Sequence, residues 1–197
     1  MRIRYNAPVT LTFALAATVL LAIDSIFGAH LIAAYFTLPG AGQFNWGNLF
    51  SYFRLFSYTL GHASWPHLIG NFSFILLLGP ILEEKHGSLQ LLLLMLVTAF
   101  ITGLINVIFF PTGLLGASGI AFMMILLISF TNIKAGEIPL TFFLVLIVYL
   151  VEQIIPSLGS RNISEMAHII GGLCGGLFGF LLPAGGRTVA TKQIPPA

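Results

Sequence analysis

Residues 89–110 read LQLLLLMLVTAFITGLINVIFF, and no side chain in this stretch is charged. A helix rises about 1.5 Å per residue and a bilayer core is about 30 Å thick, so roughly 20 such residues cross it. The rest of the chain has the same character. Of its 197 residues, 57% are hydrophobic and 7% are charged, against about 25% charged in an ordinary soluble domain. Eight Lys and Arg with six Asp and Glu cannot cover a globular surface of this size. A soluble enzyme, a nucleic-acid binder and a disordered chain are excluded. The net charge of +2 points to no partner. The single cysteine, Cys174, excludes an intramolecular disulfide and any multi-cysteine metal site.

Apolar stretches of spanning length recur on both sides of this one. The first runs from about Pro8 to Gly28 and the second from about Pro66 to Leu82. Leu89 to Phe110 is the third and Ser118 to Phe130 the fourth. The fifth covers about Ile138 to Ile155 and the sixth about Ile163 to Leu182. The expected fold is an all-α membrane protein, a bundle of six transmembrane helices. The first stretch is too long for a cleavable signal peptide, and Ile23, Asp24 and Phe27 near its end make no small-residue cleavage site. The long connection from about Tyr35 to Trp65 is rich in aromatic residues and poor in charge. Such a segment suits the membrane interface, and one or two short helices are expected there. Residues 1–183 read as one domain and 184–197 as a mobile cytoplasmic tail. With the N-terminus inside, Arg2, Arg4, Lys85, Lys134, Arg187 and Lys192 are cytoplasmic, and only Arg54 and Arg161 lie outside. Both termini are then cytoplasmic.

Polar groups within a membrane are costly and default to functional candidates. Helical rise gives their depth. Ser118 lies about 21 Å above Asn132 at the inner end of the fourth span, and His168 about 22 Å above Pro183 at the end of the sixth. On the second span, Asn71 and His67 lie about 18 and 24 Å above Glu83. Four polar side chains from three helices thus share one thin layer. The fourth span is short and follows Gly113-Leu114-Leu115-Gly116-Ala117. Irregular backbone at membrane depth requires protein or water around it, so this helix is expected to start inside the membrane, facing a wet cavity. Ser118 then stands at a helix N-terminus, whose free N–H groups suit a developing oxyanion. Gly116 and Gly119 leave room for a substrate backbone.

A serine beside a histidine is the pair needed for nucleophilic catalysis. The imidazole takes the hydroxyl proton and returns it to the leaving amine. His67 and Asn71 are four residues apart on one helix face, and their imidazole and amide are suitable oxyanion donors.

These residues resemble the rhomboid family of intramembrane serine proteases. The resemblance rests on Gly116-Ala117-Ser118-Gly119, on Ala167-His168-Ile169-Ile170-Gly171, and on His62, His67 and Asn71 at and before the second span. Phe53-Arg54 resembles the family's Trp-Arg pair, and Glu83 with Gly87-Ser88 its Glu-containing turn. The likeness runs from about residue 8 to 183. It implies a six-span rhomboid-like bundle with an interfacial loop between the first two spans. It implies a Ser118–His168 dyad, an oxyanion hole of His67, Asn71 and the Ser118 N–H, and a mobile fifth span. The implied reaction is peptide-bond hydrolysis in or near transmembrane segments of other proteins, in the cell (inner) membrane. Where many relatives carry Tyr to stack on the catalytic histidine, this chain has Phe122, and where some carry a further His it has Tyr58.

Taken singly, each residue has a plainer reading. A membrane-helix serine commonly bonds to a carbonyl one turn back, and a lone histidine is commonly packed in the interior. Gly171 and Gly175 read as a packing face that brings the sixth span against the fourth, with Gly172 on the other side. His62 reads as structural. A metal site built from His62, His67 and His168 is the alternative chemistry, but there is no H-E-x-x-H pattern and no carboxylate beside them. A catalytically silent rhomboid-like protein that binds membrane segments is another alternative. A transporter would show inverted repeats and coupled carboxylates, and neither is evident. The expected partners are transmembrane protein substrates and the lipid bilayer, with no nucleic acid, metal or cofactor.

Overall fold

The computed structural model describes residues 4–133 and 164–182, together with Leu140, Phe143, Leu144, Ile147 and Val151 between them. The described elements are helices: α1 (Pro8–Phe27), α2 (Leu31–Tyr35), α3 (Leu49–Ser57), α4 (Trp65–His86), α5 (Ser88–Phe109), α6 (Ser118–Ile133) and α7 (Ser164–Leu181). Among the described residues α1, α4 and α5 are long and apolar enough to cross a membrane, and Ser118–Ser129 and Ala167–Leu181 are shorter apolar helices. The fifth expected span lies outside the described residues apart from those five helical positions, and the tail 184–197 lies outside them altogether.

Central helix α5 buries Leu91, Leu94, Met95, Thr98, Ala99, Thr102, Gly103, Asn106 and Val107, the three-and-four spacing of a single helix face. Its other face carries exposed Leu92, Leu93, Leu96, Val97 and Phe100. Apolar residues on the outside as well as the inside are what a helix needs when lipid replaces water. In α3 large apolar residues face outward. Leu49, Phe50, Tyr52 and Phe53 are exposed, while Ser51, Leu55 and Ser57 are buried. The buried side is held by carbonyls of α2: Ser57 Oγ donates to Tyr35 O at 2.9 Å, and Arg54 Nη2 donates to Ala34 O.

Both ends of α1 are tied by carboxylates. Asp24 Oδ1 accepts from Leu31 N at 2.5 Å and Ile32 N at 3.3 Å, so this half-buried acid caps the short helix that follows its own. At the other end, Glu83 is 4% exposed and accepts from Val9 N, Thr10 N and Thr10 Oγ1 at 2.9, 3.0 and 2.9 Å. The first N–H groups of α1 have no partner within their own helix, and the carboxylate at the end of α4 satisfies two of them. Gly79 lets the helices close there, since a Cβ would stand 2.5 Å from Thr10 Cγ2. Gly87, at φ +85°, ends α4 and begins α5 in one sharp reversal.

Two long loops are joined backbone to backbone. Leu38 and Leu114 exchange N–H···O bonds of 2.9 Å, and Ala41 N donates to Phe110 O at 2.6 Å. Gly116 N donates to Tyr58 O at 2.9 Å. The segment that leads into α6 is therefore seated on the connection between α1 and α4. The Asn106 amide donates to Thr112 O at 3.2 Å, which holds this same leading segment.

Candidate active site

Ser118 is the first residue of α6 and is 8% exposed. Two residues before it, Gly116 turns the chain with φ +115°, a conformation that side chains rarely adopt. A Cβ on Gly116 would stand 2.8 Å from both Cε1 and Nε2 of His67, and 3.6 Å from Asn71 Nδ2. The imidazole and the amide of α4 thus lie directly over the turn that delivers Ser118.

His168 is 2% exposed on α7. Its neighbour Ala167 presents a carbonyl 3.3 Å from where a Cβ of Gly119 would be. One turn on, a Cβ of Gly171 would overlap the Gly119 carbonyl, and one of Gly175 would overlap that of Met123. The backbones of α6 and α7 touch along this line, as small residues four apart permit. Ser118 and His168 each adjoin a residue of that contact. The Phe122 ring stacks on His168 with centroids 5.6 Å apart and 24° between planes. Gly172, on the other side of the helix, is packed as well. It is buried, and its Cβ would stand 3.0 Å from the Phe122 ring. The ring that lies on His168 is itself fitted against a glycine.

His62 is 0% exposed and sits in the loop before α4. Its Nδ1 faces Leu60 O at 3.2 Å and its Nε2 faces Asn71 Nδ2 at 3.1 Å. The His67 and Phe72 rings pack beside it at 5.0 and 5.6 Å. Burial pushes the imidazole down to about 4, against the Leu60 carbonyl, which favours its charged form. With one ring nitrogen on a carbonyl and the other on an amide, His62 keeps no lone pair for a metal, which removes it from the His62–His67–His168 ligand set. The sequence marked His62 as structural. Its bond to Asn71 links a loop to a helix, and no helical spacing signals such a pair.

The fold and site define a helical integral membrane protein with a serine and a histidine flanking the closest approach of two helices, and an imidazole and an amide over the serine's turn. The sequence matches the Rhomboid domain over residues 49–185, and the chain belongs to the rhomboid family. It is 29% identical over 131 residues to the Rhomboid protease GlpG of Haemophilus influenzae, an overlap of 65% of this chain and 68% of that protein.

Proposed function

We propose that this protein is an intramembrane serine endopeptidase, that its bundle has six spans with both termini in the cytoplasm, and that it resides in the cell (inner) membrane. The observation that carries the reading is the α6–α7 backbone contact at Gly119, Ala167 and Gly171, with Ser118 and His168 adjoining it. The similarity to a rhomboid protease supports it. Ser118 Oγ attacks the scissile carbonyl carbon while His168 takes the hydroxyl proton. The carbonyl oxygen becomes an oxyanion and is held by the Ser118 N–H, the Asn71 amide and the His67 imidazole. Collapse breaks the C–N bond, and His168 returns the proton to the leaving amine. Water then enters from the outer side and adds to the acyl carbon as His168 takes its proton; the bond from that carbon to Ser118 Oγ breaks, the acid leaves, and His168 returns the proton to Ser118 Oγ. The sequence suggested that Gly116 and Gly119 leave room for a substrate strand, but the space they leave is taken within the protein, at Gly116 by the His67 imidazole and at Gly119 by the Ala167 carbonyl of α7. Phe122 holds the imidazole plane by stacking. Substrates are transmembrane segments of other proteins, and the exposed aromatic face of α3 lies in the membrane interface. A fluorophosphonate probe tests the reading: it labels the purified protein at Ser118, and labelling is lost on Ser118→Ala. Equal labelling of that variant excludes Ser118 as the nucleophile, and no labelling of the unaltered protein favours the catalytically silent alternative.

A further inference from the structure

Asn71 serves the reaction only if its amide faces the substrate with N–H and not with its carbonyl. The two ends of an amide have nearly the same shape, so packing alone does not choose between them. The hydrogen bonds of His62 do. Leu60 O is a carbonyl and only accepts, so His62 Nδ1, 3.2 Å away, carries the ring proton. A neutral imidazole has one N–H, so Nε2 is a lone pair. The group 3.1 Å from it must therefore donate, and that group is Asn71 Nδ2. One amide proton is spent on His62. The same nitrogen lies 3.6 Å from the Cβ position of Gly116, so its second proton is on the side of the Gly116–Ser118 turn. A reversed amide would put Oδ1 against the His62 lone pair and an acceptor against the oxyanion. Both are repulsive.

We infer that His62 is a positioning residue that fixes the sense of the Asn71 amide, and through it the oxyanion hole. The chain of control runs from the Leu60 carbonyl to the His62 tautomer to Asn71 to the substrate oxygen. This inference rests on the proposed role of Asn71, and the two are separable by experiment. His62→Asn keeps a donor at the δ position for Leu60 O and lacks an acceptor at the ε position. His62→Gln does the reverse. The full-length protein in proteoliposomes is assayed on a transmembrane substrate for kcat and KM, with its midpoint temperature measured alongside. The expected result is a kcat about 10- to 100-fold lower in His62→Asn with KM little changed, the scale of a small misplacement at a reacting centre. His62→Gln restores kcat to within about threefold. In an Asn71→Ala background, His62→Asn has no further effect, because both act through one group. An unchanged kcat in His62→Asn, with Asn71→Ala impaired, overturns this inference alone. So does the same fractional loss in both backgrounds. An unchanged kcat in Asn71→Ala overturns the oxyanion role itself, and this inference with it. If His62→Asn proves unstable, His62→Gln decides: loss of kcat there at a normal midpoint temperature assigns His62 to the loop and not to Asn71.

Discussion

His62 lies outside the spanning helices, is completely buried, and is pushed by that burial from 6.5 to about 4. In the unfolded chain it takes up a proton as the pH falls through 6.5, while in the folded protein it stays neutral to about 4. Between those values the unfolded state holds more protons, so folding weakens as the pH falls. The midpoint temperature is expected to drop from pH 6.5 to pH 4, and to drop less in His62→Gln. His67, the titratable group facing His62 at 5.0 Å, is present in both proteins and leaves the comparison intact. Equal slopes would contradict a neutral, desolvated His62. At this scale the sequence conveyed identity better than partnership. It marked Ser118, His168, His67 and Asn71 by motif and by shared depth, since helical rise converts residue number into height. It left Asp24 unassigned, because the cap it makes depends on how α2 folds back after Gly28. It missed the His62–Asn71 bond for the same reason: loop geometry sets that contact, not periodicity.

Helix α7 meets α6 through glycine. A Cβ at Gly171 or Gly175 would overlap a backbone carbonyl of α6, and backbone cannot yield as a flexible side chain can. Gly171→Val and Gly175→Leu are therefore expected to lower the midpoint temperature and to cut the cleavage rate about 10²-fold or more, since about 1 Å of displacement at the reacting pair suffices for that. Leu173, 70% exposed on the same helix, is the control, and Leu173→Ala is expected to change neither. Equal tolerance at all three positions would mean that another contact sets the approach of His168 to Ser118. Gly172→Ala is expected to be intermediate. It presses on the Phe122 ring rather than on backbone, so it disturbs His168 through the stack while leaving the helix contact in place. The spacing of Gly171 and Gly175 made this face legible in the sequence. The burial of Gly172 was not, because it depends on which way the Phe122 ring turns. The pairing of Leu38 with Leu114 was also hidden, since two irregular segments carry no period that would reveal their register.

Across the molecule, the apolar stretches read from the sequence carry helices in the first four and the sixth positions, because hydrophobic length is the strongest signal a membrane chain offers. What composition does not convey is how the bundle is fastened, and Glu83 illustrates it. Its carboxylate joins the end of α4 to the start of α1 by three hydrogen bonds at a site 4% exposed. Glu83→Ala leaves those donors unpaired and is expected to destabilise the protein by about 2–3 kcal/mol, as hydrogen bonds to a buried charge require. Denaturant titration in detergent measures it, and an unchanged midpoint would show α1 to be held by apolar packing alone. The bundle so fastened is proposed to bring Ser118 and His168 together for hydrolysis. Cleavage of a purified single-span membrane protein in proteoliposomes tests that most directly, with the unaltered chain beside Ser118→Ala, His168→Ala and the double variant. The account predicts cleavage by the unaltered chain and none by either single variant, with the double variant no worse than the singles, because nucleophile and base act as one unit. Most of the activity surviving in a folded Ser118→Ala or His168→Ala protein would contradict it.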